Sequence, residues 1–127
     1  KALIKAMNDV KFSIKSYTMN LTSQVAGIEA VKDVAYFEEH VAKIVKDREW
    51  SKKQLEEMGF LCMESSTNFL FATHPKKPAK ELFEALKEKN IFVRYFGKEE
   101  ISNYLRITIG TRAQMETLIE TIRGLLA

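Results

Sequence analysis

The sequence is short of several residue types: it holds one cysteine (Cys62), two prolines, two histidines and one tryptophan in 127 residues. A single thiol excludes an intrachain disulfide and a cysteine-based zinc site, and it points to a reducing compartment. Cys62 stands in an apolar run with Phe60, Leu61 and Met63, where a small core hydrophobe is expected. His40 and His74 are far apart and have no partners at ligand spacing, so no metal is expected. There is no glycine-rich phosphate loop and no nucleophile beside a base, so no catalytic residue is expected in this chain alone. No apolar run approaches the length of a membrane span and no signal-peptide pattern is found, so no membrane partner is expected. A strong charge excess is also missing. The net charge is +3, and basic residues alternate with Glu and Asp along helical faces, which leaves no footprint for nucleic acid.

What is present suits a globular fold. Apolar residues make up 46% and charged residues 29%, and 127 residues allow one domain with a modest core. Leu3, Ile4, Met7 and Val10 or Phe12 form a helical stripe that begins without an N-cap, as if cut from a longer chain. Asn20 caps a helix over 21–31, with Leu21, Val25 and Ile28 on one face, and Asp33 caps a longer one over 34–58. Phe37, Val41, Ile44, Leu55 and Met58 share a side of that helix, and Gly59 stops it. Residues 60–63 and 68–73 read as two strands joined by a turn at Ser65, Ser66 and Thr67. Pro78 suits the first position of a helix that buries Leu82, Phe83 and Leu86 and ends at Asn90. Residues 91–95 read as a strand. Tyr104 to Ile109 alternate, with Leu105, Ile107 and Ile109 inward and Tyr104, Arg106 and Thr108 outward. Thr111 and Gln114 form a capping box for a last helix with Met115, Leu118, Ile119, Ile122 and Leu126 on its apolar side. The expected class is α+β, a small, mostly antiparallel sheet with helices on one face.

Arg106 is the first candidate for chemistry. On a rigid strand whose other face is core, it presents a planar fork that suits a carboxylate or phosphate. Arg94 is the second, on a strand face with Phe92 and Phe96. If the two strands pair antiparallel, the guanidiniums come together and a bound anion would relieve their repulsion. Neutralisation by Glu99 and Glu100 on the connecting segment is the competing reading. The acidic pairs Glu38-Glu39 and Glu56-Glu57 suit solvated helix surface better than acid–base work, and the run from Ser65 to Asn68 suits a turn.

Several runs together resemble the C-terminal part of the histidinol-phosphate aminotransferases. They are Met58-Gly59-Phe60, Ser65-Ser66-Thr67-Asn68-Phe69-Leu70-Phe71-Ala72, Asn90-Ile91-Phe92-Val93-Arg94-Tyr95-Phe96 and Tyr104-Leu105-Arg106-Ile107-Thr108-Ile109-Gly110-Thr111. The segment Ser16-Tyr17-Thr18-Met19-Asn20-Leu21 and the helix after Asp33 fit the same alignment. The resemblance implies the small domain of a fold type I transferase dependent on pyridoxal 5'-phosphate. Residues 1–127 would form a single C-terminal domain, with 1–32 as helices leading to a large domain of the same polypeptide. It implies amino transfer between histidinol phosphate and 2-oxoglutarate, in histidine biosynthesis, in a cytoplasmic homodimer. Arg106 would bind the acidic group of the phosphorylated or carboxylated amino substrate, and Arg94 would help hold the phosphate. The cofactor lysine would lie upstream of Lys1, so no residue here would hold the cofactor and the chain alone would not turn over. Two alternatives remain: another enzyme of the subgroup, an aromatic aminotransferase or a threonine-phosphate decarboxylase, or a stand-alone anion-binding or regulatory domain. An interaction role is expected only if the first apolar stripe stays uncovered and drives self-association.

Overall fold

The first helix, α1 (Ala2–Ile14), carries the stripe of Leu3, Ile4 and Met7, and all three are exposed in the computed structural model. Asn20 then starts α2 (Leu21–Lys32): its side chain accepts the backbone N–H of Ser23 at 2.8 Å, which satisfies one of the helix's free donors. Asp33 does the same for α3 (Val34–Glu57), accepting the N–H of Tyr36 at 3.2 Å. The structure describes residues 1–14, 17 and 19–126, so Ser16 and Thr18 of the family-like run lie outside the described residues. The chain divides into two units, Lys1–Glu38 and Glu39–Ala127. Within the first, every described side chain is exposed, including Leu21, Val25 and Ile28 on α2 and Phe37 at the start of α3. The expected apolar side of the long helix is therefore uneven. Phe37 is exposed, Val41 is 39% exposed, Ile44 and Met58 are half-buried, and Leu55 is fully buried.

The second unit holds the sheet. α3 ends where Gly59 turns to φ +92°, with Gly59 N–H donating to the Glu56 carbonyl at 2.9 Å and Phe60 N–H to that of Leu55 at 3.1 Å. This left-handed stop satisfies the last carbonyls and favours glycine, which has no Cβ to clash. β1 (Leu61–Cys62) and β2 (Phe69–Thr73) follow as an antiparallel pair. Between them Ser65 Oγ donates to the Phe69 carbonyl at 2.7 Å, so the polar residues serve the turn. Pro78 stands just before α4 (Ala79–Glu88), one position earlier than expected, in extended rather than helical backbone. α4 buries Leu82 and Leu86, leaves Phe83 half-buried, and ends with the same stop as α3. Asn90 takes φ 59°, and Ile91 N–H donates to the Leu86 carbonyl at 2.9 Å.

That stop shortens the next strand. β3 is Arg94–Tyr95 alone, because residues 91–93 complete the helix stop and are not paired with the sheet, contrary to the expected strand over 91–95. A short 3-10 helix, Glu99–Ile101, leads to β4 (Leu105–Thr108). α5 (Arg112–Leu126) opens with the expected box: Thr111 N–H donates to Gln114 Oε1 at 2.8 Å, and Gln114 N–H to Thr111 Oγ1 at 3.4 Å. The strand order is β1-β2-β4-β3 and every pairing is antiparallel. One sheet face, Leu70, Ala72, Leu105, Ile107 and Ile109, packs with Leu55, with Leu82 and Leu86 of α4, and with Met115, Leu118, Ile119 and Ile122 of α5. This is the expected α+β fold. Each such aliphatic side chain contributes about 1.5–3 kcal/mol by leaving water.

Cys62 opposes the buried Ala72 and packs half-buried against this core. Burial, with a smaller push from the Glu56 carboxylate, drives its thiol up to about 11, while Lys52 opposes the shift. No helix among the described residues is long and apolar enough to cross a membrane.

Ile107→Ala should lower the unfolding free energy by about 2–5 kcal/mol in urea titrations, whereas Ser66→Ala at the exposed turn should stay within about 0.5 kcal/mol. Equal effects would contradict the placement of the core. Alkylation of Cys62 at pH 8 should run about a hundredfold slower than in the unfolded chain, because its thiol lies about two pH units above the ordinary 9.0, and should accelerate toward pH 11. Equal rates in the folded and unfolded chain at pH 8 would remove the burial account of that shift.

Candidate functional site

Alternation along β4 turns Arg106 away from the core that holds Leu105 and Ile107. Its two neighbouring strands complete the surface around it. On β2, Phe71 directly opposes Arg106 and Phe69 opposes Thr108. On β3, Arg94 directly opposes Arg106. The two arginines singled out by the sequence are thus brought together, Arg94 exposed and Arg106 half-buried.

Like charges directly opposed across strands repel. The acidic residues weighed as their counter-charges, Glu99 and Glu100, are exposed on the 3-10 helix, and no ion pair links either to an arginine among the described residues. Aromatic rings stand where carboxylates were the alternative. The guanidinium carbon of Arg106 lies 5.3 Å from the centre of the Phe69 ring and 5.8 Å from that of Phe96. That of Arg94 lies 5.6 Å from the same Phe96 ring. A ring face attracts a cation through its quadrupole and takes none of its N–H donors. Behind these, Tyr104 stacks on Phe71 at 4.6 Å and 11°, and Phe71 meets Phe96 edge-on at 6.4 Å. The Arg106 Nε is buried with no hydrogen-bond partner, a donor the protein leaves unsatisfied.

The sequence pattern set Phe96 and Tyr104 beside the arginines without giving them a task, and placed Phe69 and Phe71 on a strand without linking them to the arginines. Their two-residue spacing on a strand was the available signal. The expected companion Phe92 is 74% exposed and outside β3. A second cation site was also unmarked: Arg112 lies 4.1 Å over the Trp50 ring and 2.7 Å from Asp47, where pairing already neutralises it.

Several of the remaining candidates have structural tasks. His74 packs edge-on against Phe60 at 5.0 Å, and its Nδ1 accepts the Lys76 N–H at 3.3 Å. His40 is half-buried on α3. Glu39 pairs with Lys43 on exposed helix surface, and the exposed Glu56 pairs with the half-buried Lys52. Among the described residues no group of three His, Cys, Asp or Glu could hold a metal ion. No described lysine is buried. Lys52 is held above the ordinary lysine value chiefly by its hydrogen bond to Glu64.

Residues 1–122 match the family model described as aminotransferase class I and II. The histidinol-phosphate aminotransferase of Clostridium beijerinckii is 46% identical over 127 residues, which is 100% of this chain and 36% of that protein. The crystal structure of the histidinol-phosphate aminotransferase from Clostridium acetobutylicum shares the fold, with a TM-score of 0.77 at 20% identity over 92% of this chain and 36% of that one. The Sinorhizobium meliloti enzyme of the same name, solved in complex with pyridoxal-5'-phosphate, gives a TM-score of 0.67 at 26% identity over 79% of this chain and 29% of that one. The chain spans about a third of the length of the curated relatives it matches. With the family model running from Lys1 to Ile122 and a fold shared with solved aminotransferases, the chain belongs to the class I and II aminotransferase family.

Proposed function

We propose that the enzyme carrying this chain exchanges an amino group between histidinol phosphate and 2-oxoglutarate, in histidine biosynthesis, and that Arg106 and Arg94 bind the acidic group of the substrate. The observation that carries this reading is the opposed arginine pair, which has aromatic neighbours, no carboxylate partner among the described residues and a buried, unsatisfied Nε. The names of the relatives support the choice of substrate. Arg106, fixed on β4, would grip a phosphate or carboxylate through charge-assisted hydrogen bonds, and Arg94 would share the phosphate. Their contribution is positioning: a substrate held by its anionic end keeps its amino group in one place. The same face would receive the dicarboxylic acid in the second half of the reaction.

The reading requires pyridoxal 5'-phosphate, which supplies an electron sink for the substrate carbanion when bound. A lysine that anchors such a group must shed its proton near neutral pH, which takes burial or a neighbouring cation. The described lysines do not fit: none is buried, and Lys52 moves in the opposite direction beside Glu64. We therefore assign cofactor attachment to none of the described lysines and derive no step through it. In the same reading 1–127 is the C-terminal small domain and 1–32 leads to the large domain, in a cytoplasmic homodimer. The exposed apolar side chains of α1 and α2 support a surface that the rest of the polypeptide covers.

The test is the amino-transfer assay on the whole, cofactor-loaded enzyme. Arg106→Ala should lower kcat/KM by about a hundredfold or more, the scale of losing one partner of a desolvated charge pair. Arg94→Ala should raise KM for histidinol phosphate more than KM for 2-oxoglutarate. Full activity in Arg106→Ala would end this reading.

A further inference from the structure

We infer that Phe96 is a positioning residue, a single ring faced by both guanidiniums that holds Arg94 and Arg106 side by side without neutralising them, so that both act on one oxyanion. The inference rests on the arginine-site reading above and adds a residue to it.

Three observations converge on this ring. Phe96 lies 5.6 Å from the guanidinium carbon of Arg94 and 5.8 Å from that of Arg106, the one aromatic side chain among the described residues with both contacts. It follows β3 directly, so it approaches Arg106 from the side opposite to Phe69 of β2. It is itself braced, edge-on against Phe71, which stacks on Tyr104.

The chemistry explains why a ring suits this place better than an acid. Two cations opposed across strands need some attraction to remain there. A carboxylate would supply more of it, but it would also occupy the in-plane N–H donors and compete with the substrate's anion. A ring binds the cation through the face of the guanidinium plane, and the donors at its edge stay free. The Nε of Arg106, buried and without a partner, shows that no carboxylate occupies that donor.

Phe96→Leu removes the ring and keeps an apolar side chain, while Phe96→Tyr keeps the ring. In the cofactor-loaded enzyme, calorimetry with inorganic phosphate and steady-state kinetics with histidinol phosphate read the effect. Phe96→Leu should weaken phosphate binding and raise KM by roughly five- to thirtyfold, the scale of two cation–ring contacts, with a smaller fall in kcat. Phe96→Tyr should stay within about twofold of the parent. Phe96→Met carries the same expectation as Phe96→Leu and replaces it if that variant does not fold. Unchanged phosphate binding in Phe96→Leu, together with its loss in Arg106→Ala, would overturn the role of Phe96 and leave the arginine site standing. Equal damage from Phe96→Leu and Phe96→Tyr would overturn it as well, by making Phe96 a packing residue only. Parent-like phosphate binding in Arg106→Ala would overturn the site and this inference together.

Discussion

The register between β3 and β4 sets Arg94 directly opposite Arg106, and two like charges so placed work against the fold. Everything around them answers that constraint. A slip of one residue along β4 would turn Arg106 into the core and bring Ile107 out to solvent. The buried row of Leu105, Ile107 and Ile109, with Leu70 and Ala72 of β2 beside it, makes that slip costly. The apolar face of the sheet thus fixes where the charged face stands, and α4 and α5 matter to the site because they cover that apolar face.

The charged face is held by a different interaction. Phe69 of β2 and Phe96, just after β3, approach Arg106 from the two sides of β4, and Phe71 and Tyr104 stack beside them. Acidic residues are not scarce in this sequence, with 17 Asp and Glu in total, yet the described ion pairs lie elsewhere, such as Arg112 with Asp47 and Lys52 with Glu64. The contrast between Arg106 and Arg112 is informative. Both meet an aromatic ring, but Arg112 also meets a carboxylate and is complete, whereas Arg106 keeps a buried donor without a partner. A donor left in that state costs stability.

Much of this was legible in the sequence because the signals were local. Asn20, Asp33, Gly59 and the pair Thr111 and Gln114 all mark helix ends through their own backbone, and the alternation from Tyr104 to Ile109 gave the face of Arg106 directly. What was not legible depended on tertiary pairing. Residues 91–93 are as apolar as a strand, but the left-handed stop at Asn90 uses Ile91 to finish α4, so β3 starts only at Arg94. Pro78 is off by one position for a local reason: proline fixes φ but leaves ψ open, and its ψ of 136° places it before the helix. The aromatic cage was missed because Phe69, Phe71 and Phe96 reach Arg106 across strand pairings that no single segment contains. Phe37 shows the opposite limit: a helical stripe predicts an apolar face and does not say what covers it.

The most direct measurement follows the Nε–H signals of Arg94 and Arg106, assigned by substitution, in the whole cofactor-loaded enzyme labelled with nitrogen-15 at arginine, as inorganic phosphate is added. The account predicts that both signals shift along one saturation curve, as two guanidiniums sharing a single anion must. Signals that stay in place, or that follow two unrelated curves, would contradict it.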